Sequence, residues 1–229
     1  MINIFIGFDK DETNTAYVLA HSIQTKSSIP VSITFLNRET LRGIFTRERG
    51  ELESTDFSIS RFLVPYLCDY SGHAVFMDCD ILCRDDISKL WAWRDDVYAV
   101  KVVKHNYQPK EETKFLGNIQ TKYEKKNWSS VMLFNNEKCK ALTKEYVNSS
   151  SGLDLHQFKW TDDSLIGDLP NYWNHLVGVY KYDHKASMVH YTTGGPWLDE
   201  YKGCDYHQDW NTSEFQMRYI KARNGNSGG

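Results

Sequence analysis

The chain lacks any apolar run near the roughly 20 residues that cross a bilayer, its longest runs being only a few residues each. No transmembrane segment is expected. Its start does not resemble a signal peptide either, because Met1-Ile2-Asn3-Ile4-Phe5-Ile6-Gly7 has no basic n-region and meets Asp9 before a long apolar stretch forms. A cytoplasmic protein is the expectation. Positive charge is in short supply: 27 Lys and Arg against 30 Asp and Glu leave a formal charge of −3 and a pI near 6.2. Without a basic excess or stripe, binding to nucleic acid through its phosphates is not expected. Cysteine is scarce and unpatterned. The five (Cys68, Cys79, Cys83, Cys139 and Cys204) are odd in number and form no C-x-x-C pair, which fits core thiols in a reducing compartment better than a disulfide framework. Also missing are G-x-S-x-G, Walker A and H-E-x-x-H, and with them the chemistries those motifs carry.

What is present suits one α/β domain. The 229 residues are 41% hydrophobic and 25% charged, enough to bury a sizeable core. Aromatic residues reach 14%, and such rings serve core packing more often than the stacking of sugars or bases. Ile2 to Phe8 reads as a buried strand, and Asn14 to Gln24 places Ala16, Tyr17, Leu19, Ala20 and Ile23 at helical spacing. Val31 to Leu36, Ala74 to Met77, Val97 to Val103, Val131 to Phe134 and Ala186 to Tyr191 read as further strands. Ser58 to Cys68 and Glu137 to Val147 read as helices, the first with Pro65 tolerable only near its first turn. Alternation of strands and helices predicts an open, mostly parallel sheet flanked by helices. Residues 104–127 form a polar excursion expected to act as a mobile lid, and residues 224–229 a flexible tail beyond a single domain over 1–223. No internal repeat is apparent.

In such sheets ligands bind beyond the carboxyl ends of the strands. There the apolar run Ala74 to Met77 meets Asp78-Cys79-Asp80. Side chains at i and i+2 of an extended segment point the same way, so the two carboxylates face one site. Like charges held that close call for a cation between them or a shared proton. A hard divalent ion, Mn²⁺ or Mg²⁺, answers that need and commonly bridges to a diphosphate. An ordinary acidic turn is the other reading.

The run Ile81-Leu82-Cys83-Arg84-Asp85-Asp86-Ile87-Ser88-Lys89-Leu90-Trp91 and the preceding Ser58-Ile59-Ser60-Arg61-Phe62 decide between them. Together with the D-x-D they resemble glycosyltransferase family 8, the retaining GT-A (Rossmann-like) enzymes of the glycogenin and lipopolysaccharide galactosyltransferase type. The resemblance implies that Asp78 and Asp80 hold Mn²⁺ and the diphosphate of a UDP-sugar donor, with Arg61 on the donor. Val189-His190-Tyr191-Thr192-Thr193-Gly194-Gly195-Pro196-Trp197 is similar to the family's C-terminal signature, which makes His190 the third metal ligand. One departure is plain: family members commonly carry Lys before the Pro-Trp, where this chain has Gly195. Backbone N–H groups of Gly194 and Gly195 can form an anion nest in its place, so these two and Trp197 are expected to bind the nucleotide-sugar, and Lys202 is another candidate cation.

Trp160-Thr161-Asp162-Asp163-Ser164 resembles the family's segment under the anomeric carbon, with Asp162 where many members have Gln and Asp163 matching their Asp. The resemblance makes these two the catalytic pair; a helix N-terminus explains the same acids equally well. Asp9 and Asn14 fall where the family holds the nucleoside, Ser129 and Ser130 where it holds the donor sugar. Asn171-Tyr172-Trp173-Asn174 resembles a segment lining the acceptor side, or is an aromatic core turn. The implied activity is transfer of a hexose from a UDP-sugar to a hydroxyl of a saccharide or other acceptor. A sugar-phosphate nucleotidyltransferase and a silent nucleotide-sugar binder are the alternatives.

Overall fold

A computed structural model describes residues 1–50, 53–106 and 124–219. The tail over 224–229 and most of the excursion over 104–127 lie outside these described residues.

Strand β1 (Ile2–Phe8), helix α1 (Thr13–Lys26) and strand β2 (Val31–Asn37) open the chain. Parallel neighbours need a long crossover, and α1 supplies it, so β1 and β2 pair in parallel along their whole length, from Ile2↔Val31 to Phe8↔Asn37. Ala16, Leu19 and Ile23 are the face that α1 buries, whereas Tyr17 on the same helix stays largely exposed. A short 3-10 turn, Ser60–Leu63, runs into α2 (Val64–Leu67). Pro65 sits in the first turn of α2, where its missing N–H costs no hydrogen bond.

Strands β3 (His73–Met77), β4 (Ile81–Cys83), β5 (Val100–Val102) and β6 (Val131–Asn135) follow, with α3 (Ile87–Trp91) after β4. Strand β5 is shorter than the apolar pattern predicts. The Asp95 carboxylate accepts from the N–H groups of Val97 and Tyr98 at 2.9 and 3.1 Å, holding them out of the ladder. The helix expected over Glu137 to Val147 is broken into a 3-10 turn, Asn136–Lys138, and α4 (Lys144–Ser149). A new start at α4 is fixed by Thr143, whose hydroxyl accepts from the Tyr146 N–H. Helix α5 (Gly152–His156), strands β7 (Ile166–Asp168), β8 (His175–Leu176) and β9 (Met188–His190), and helix α6 (His207–Arg218) complete the described chain.

The main sheet has the order β2-β1-β3-β6-β5-β7. Three of its pairs are parallel, while β6 runs against both β3 and β5. An apolar run such as Val131 to Phe134 carries no sign of direction, so only the tertiary pairing reveals this reversal. A smaller sheet, β4-β9-β8, lies beyond β3. Its own core joins Val18 of α1, Leu82, Val189, Tyr191 and Trp210 of α6. All five cysteines are free, and burial raises the thiols of Cys79, Cys83 and Cys139, Cys83 to about 12. Among the described residues no helix is long and apolar enough to cross a membrane.

Candidate active site

The junction of the two sheets brings three chain segments together. The Asp78 N–H donates to the Ser130 carbonyl at 2.9 Å, extending the β3–β6 ladder by one step past Met77↔Val131. A turn at Cys79 and Asp80 then leads into β4, whose register sets Ile81 opposite His190. The Tyr191 N–H donates to the Asp80 carbonyl at 2.9 Å. Backbone pairing thus places His190 beside both acids: its Nε2 lies 3.2 Å from Asp80 Oδ1 and 4.0 Å from Asp78 Oδ2. One ligand atom from each of the three residues lies within 4.8 Å of the others. His190 itself is buried.

Arg61 forms the adjoining wall. Its guanidinium lies 2.7 Å from Asp78 Oδ1 and donates to the Ser129 carbonyl at 2.9 Å. The rings of Phe57 and Phe76 hold it, with centroids 5.3 and 5.0 Å away. Gly7 makes room for this arrangement, since a Cβ there would stand 2.3 Å from the Phe57 ring. An arginine so enclosed has one orientation, and through the ion pair so does Asp78.

Asp78, Asp80, Arg61, His190, Ser129 and Ser130 line one cavity of about 570 Å³. Its other walls come from Arg47, Gly50, the segment 53–59 and α5, including Phe57, Leu153 and His156. The Ser129 hydroxyl meets His156 Nδ1 at 2.8 Å, and the Ser130 hydroxyl donates to the Asn127 carbonyl at 2.7 Å. Among the lining residues that escaped the sequence reading are Glu12 and the buried Lys126. Glu12 is pushed up from 4.5 to about 8, first by burial, then by the charges of Asp80 and Asp9. Its place in the acidic run after β1 was the available signal; its approach to Asp80 depends on the fold.

Other expected site residues lie elsewhere. The Asp9 carboxylate accepts from the N–H groups of Asp11 and Asp56 at 3.0 and 2.9 Å, bracing a cavity-lining segment rather than lining the cavity. Asn14 bonds to Glu214 and Arg218 of α6. Asp162 and Asp163 are exposed and do not line the cavity. Asp162 accepts from the Ser164 N–H at 2.8 Å, the capping role, and Asp163 pairs with Lys125 at 2.5 Å. The Gly194 N–H donates to the Tyr191 carbonyl at 2.9 Å, and neither glycine lines the cavity. Trp197 packs between Tyr191 and Trp210, and Lys202 pairs with Asp199 at the surface. From this segment Thr192 and His190 reach the cavity.

No family model matches the chain. Protein CDI of Arabidopsis thaliana is 47% identical over 216 residues, which cover 90% of this chain and 83% of that protein. Among solved structures, the bifunctional glycosyltransferase WbbM superposes with a TM-score of 0.67 at 15% identity, over 95% of this chain. The chain spans 50% of the length of WbbM. The galactosyltransferase LgtC, in complex with donor and acceptor sugar analogues, superposes with a TM-score of 0.60 at 12% identity, over 96% of this chain and 98% of that one. The fold is therefore that of the GT-A glycosyltransferases, as the resemblance implied.

Proposed function

The chain belongs to the family of Arabidopsis Protein CDI and has a glycosyltransferase fold, and from this premise we propose a metal-dependent retaining glycosyltransferase. It moves a hexose from a UDP-sugar to a hydroxyl of a saccharide or other acceptor. The observation that carries this reading is the convergence of Asp78, Asp80 and His190 beside Arg61 on one cavity.

These residues fit a divalent cation. Two carboxylate oxygens and one imidazole nitrogen within 4.8 Å form a hard set with one borderline donor, which suits Mn²⁺ and less closely Mg²⁺. Burial first, and then the charges of Asp80 and Asp9, raise the carboxyl of Glu12 beside this site. When bound, the cation supplies Lewis-acid neutralisation of a leaving diphosphate. The chain's own residues do the rest. Arg61 fixes Asp78 through its Oδ1 and leaves Oδ2 facing His190. The same guanidinium gives the cavity wall a permanent positive charge, which favours a diphosphate. The half-exposed Leu153 of α5 gives the cavity an apolar surface for the C–H face of a sugar ring. Asp162 and Asp163 receive no chemical role. Free core thiols support a reducing compartment, and we place the reaction in the cytoplasm.

A thermal-shift panel of UDP-sugars with and without Mn²⁺, followed by assay of UDP release with saccharide acceptors, tests the proposal. A ligand at about 100 times its Kd stabilises by about 2.7 kcal/mol, so a rise in Tm of roughly 5–10 °C is expected for a chain of this size. Asp80→Asn should abolish both the Mn²⁺-dependent shift and transfer. Release of pyrophosphate instead of UDP would identify a nucleotidyltransferase. Binding without transfer or donor hydrolysis would identify a silent binder.

A further inference from the structure

We infer that Asn174 is a positioning residue that dictates which nitrogen of His190 carries a proton. Asn174 is wholly buried just before β8. Its Nδ2 lies 2.8 Å from Ser130 Oγ, 3.0 Å from His105 Nε2 and 3.4 Å from the Asn127 carbonyl. A carbonyl oxygen has only lone pairs to offer, so the amide nitrogen must face it. The Ser130 hydroxyl already donates to that same carbonyl, hence it accepts from Asn174. The two amide hydrogens then serve Ser130 and His105 at the short distances, with the Asn127 carbonyl sharing them at 3.4 Å.

The amide oxygen is then turned toward His190, with Oδ1 3.1 Å from Nδ1. An amide oxygen only accepts, so the proton belongs to Nδ1 of His190. In the neutral ring Nε2 keeps its lone pair, and Nε2 is the atom 3.2 Å from Asp80 Oδ1. On the far side, His105 accepts at Nε2 and donates from Nδ1 to the Tyr180 hydroxyl at 2.8 Å. Burial, then His190 and His175, press His105 down to about 3, so it stays neutral and able to accept. The Asn174 amide, the Ser130 hydroxyl and the proton-bearing nitrogens of His190 and His105 each meet a partner under one assignment of protons. The choice of amide over carboxylate matters, because a neutral acceptor orients the ring without favouring the imidazolium, which has no lone pair for a cation.

The role in holding a cation rests on the proposed metal site; the proton assignment does not. It is tested by ¹⁵N–¹H correlation spectra of the His190 side chain in the metal-free protein and with Mg²⁺, assigned with His190→Gln. A proton-bearing Nδ1 is expected in both. Asn174→Leu should release that proton to Nε2 and weaken Mn²⁺ binding about 10–100-fold, and Asn174→Asp, which keeps the acceptor, should restore the proton to Nδ1. A lone-pair resonance at Nδ1 in the unaltered protein, or an Asn174→Leu variant with unchanged spectrum and Mn²⁺ affinity, overturns the inference. Should Asn174→Leu not fold, the unaltered protein and Asn174→Asp decide the outcome. A protein that transfers no sugar but keeps the Nδ1 proton upholds the positioning and refutes the transferase.

Discussion

At Gly195 a Cβ would stand 2.1 Å from the ring of Trp197, and at Gly194, where φ is +131°, it would stand 2.7 Å from Tyr201. In this chain any side chain at Gly195 would meet the Trp197 ring as it is packed, so glycine suits the position. Trp197 lies against Tyr191 and Trp210, and the smaller core closes over the glycines. Gly195→Ala is therefore expected to cost about 1–3 kcal/mol by overpacking, read as a lower urea midpoint at unchanged slope. Equal stability with weakened diphosphate binding would return these glycines to the donor site. Residue chemistry was legible for Asp78, Asp80 and His190, because an i, i+2 pair after a buried strand and a histidine before Gly-Gly-Pro-Trp are local patterns. It was not legible for Glu12 or for the network of Asn174, whose partners are distant in sequence.

At the scale of elements, α1 and α6 are joined by one polar cluster. Asn14 donates to Glu214 at 2.8 Å and accepts from Arg218 at 2.9 Å, while Arg218 and Glu214 pair at 3.0 Å. These contacts close the last described helix over the first. Asn14→Ala is expected to lose about 1–2 kcal/mol for two bonds to charged partners, with UDP affinity unchanged by calorimetry. A fall in UDP affinity at constant stability would favour the nucleoside role that the resemblance gave this residue. Strand positions were readable because β1, β3 and β6 are each built around a short apolar run. The break before α4 and the shortening of β5 were not, because each depends on one side chain capturing backbone N–H groups: Thr143 in the first case, Asp95 in the second.

For the whole molecule, two buried groups shape stability against pH. The Glu12 carboxyl rises from 4.5 to about 8 in the fold, so its contribution is present below about pH 4.5 and lost as pH climbs toward 8. His105 moves the other way, from 6.5 to about 3. Its contribution is present above pH 6.5 and lost as pH falls toward 3. Between about pH 4.5 and 6.5 the two slopes oppose each other, so the metal-free protein should be most stable there. Above that window stability should decline by at most about 1.4 kcal/mol per pH unit. Urea midpoints in a chelator from about pH 5 to about pH 8 measure this, and Glu12→Gln should flatten the alkaline arm. A decline that persists in Glu12→Gln would assign it to another group.

The sequence by itself determined the alternation of strands and helices, the D-x-D at the end of β3 and the histidine at the end of β9, because each is written in the order of neighbouring residues. Its scarcity of basic residues, cysteine pairs and long apolar runs set aside several classes at the outset. Only the tertiary structure decided that β6 runs antiparallel, that Asp162 caps a turn and Asp163 pairs with Lys125 away from the cavity lining, and that Glu12 stands near Asp80. It also decided that Asn174 faces His190 with its oxygen. These outcomes depend on which segments pair across the junction of two sheets, and long-range pairing follows from total burial and hydrogen-bond satisfaction rather than from local pattern.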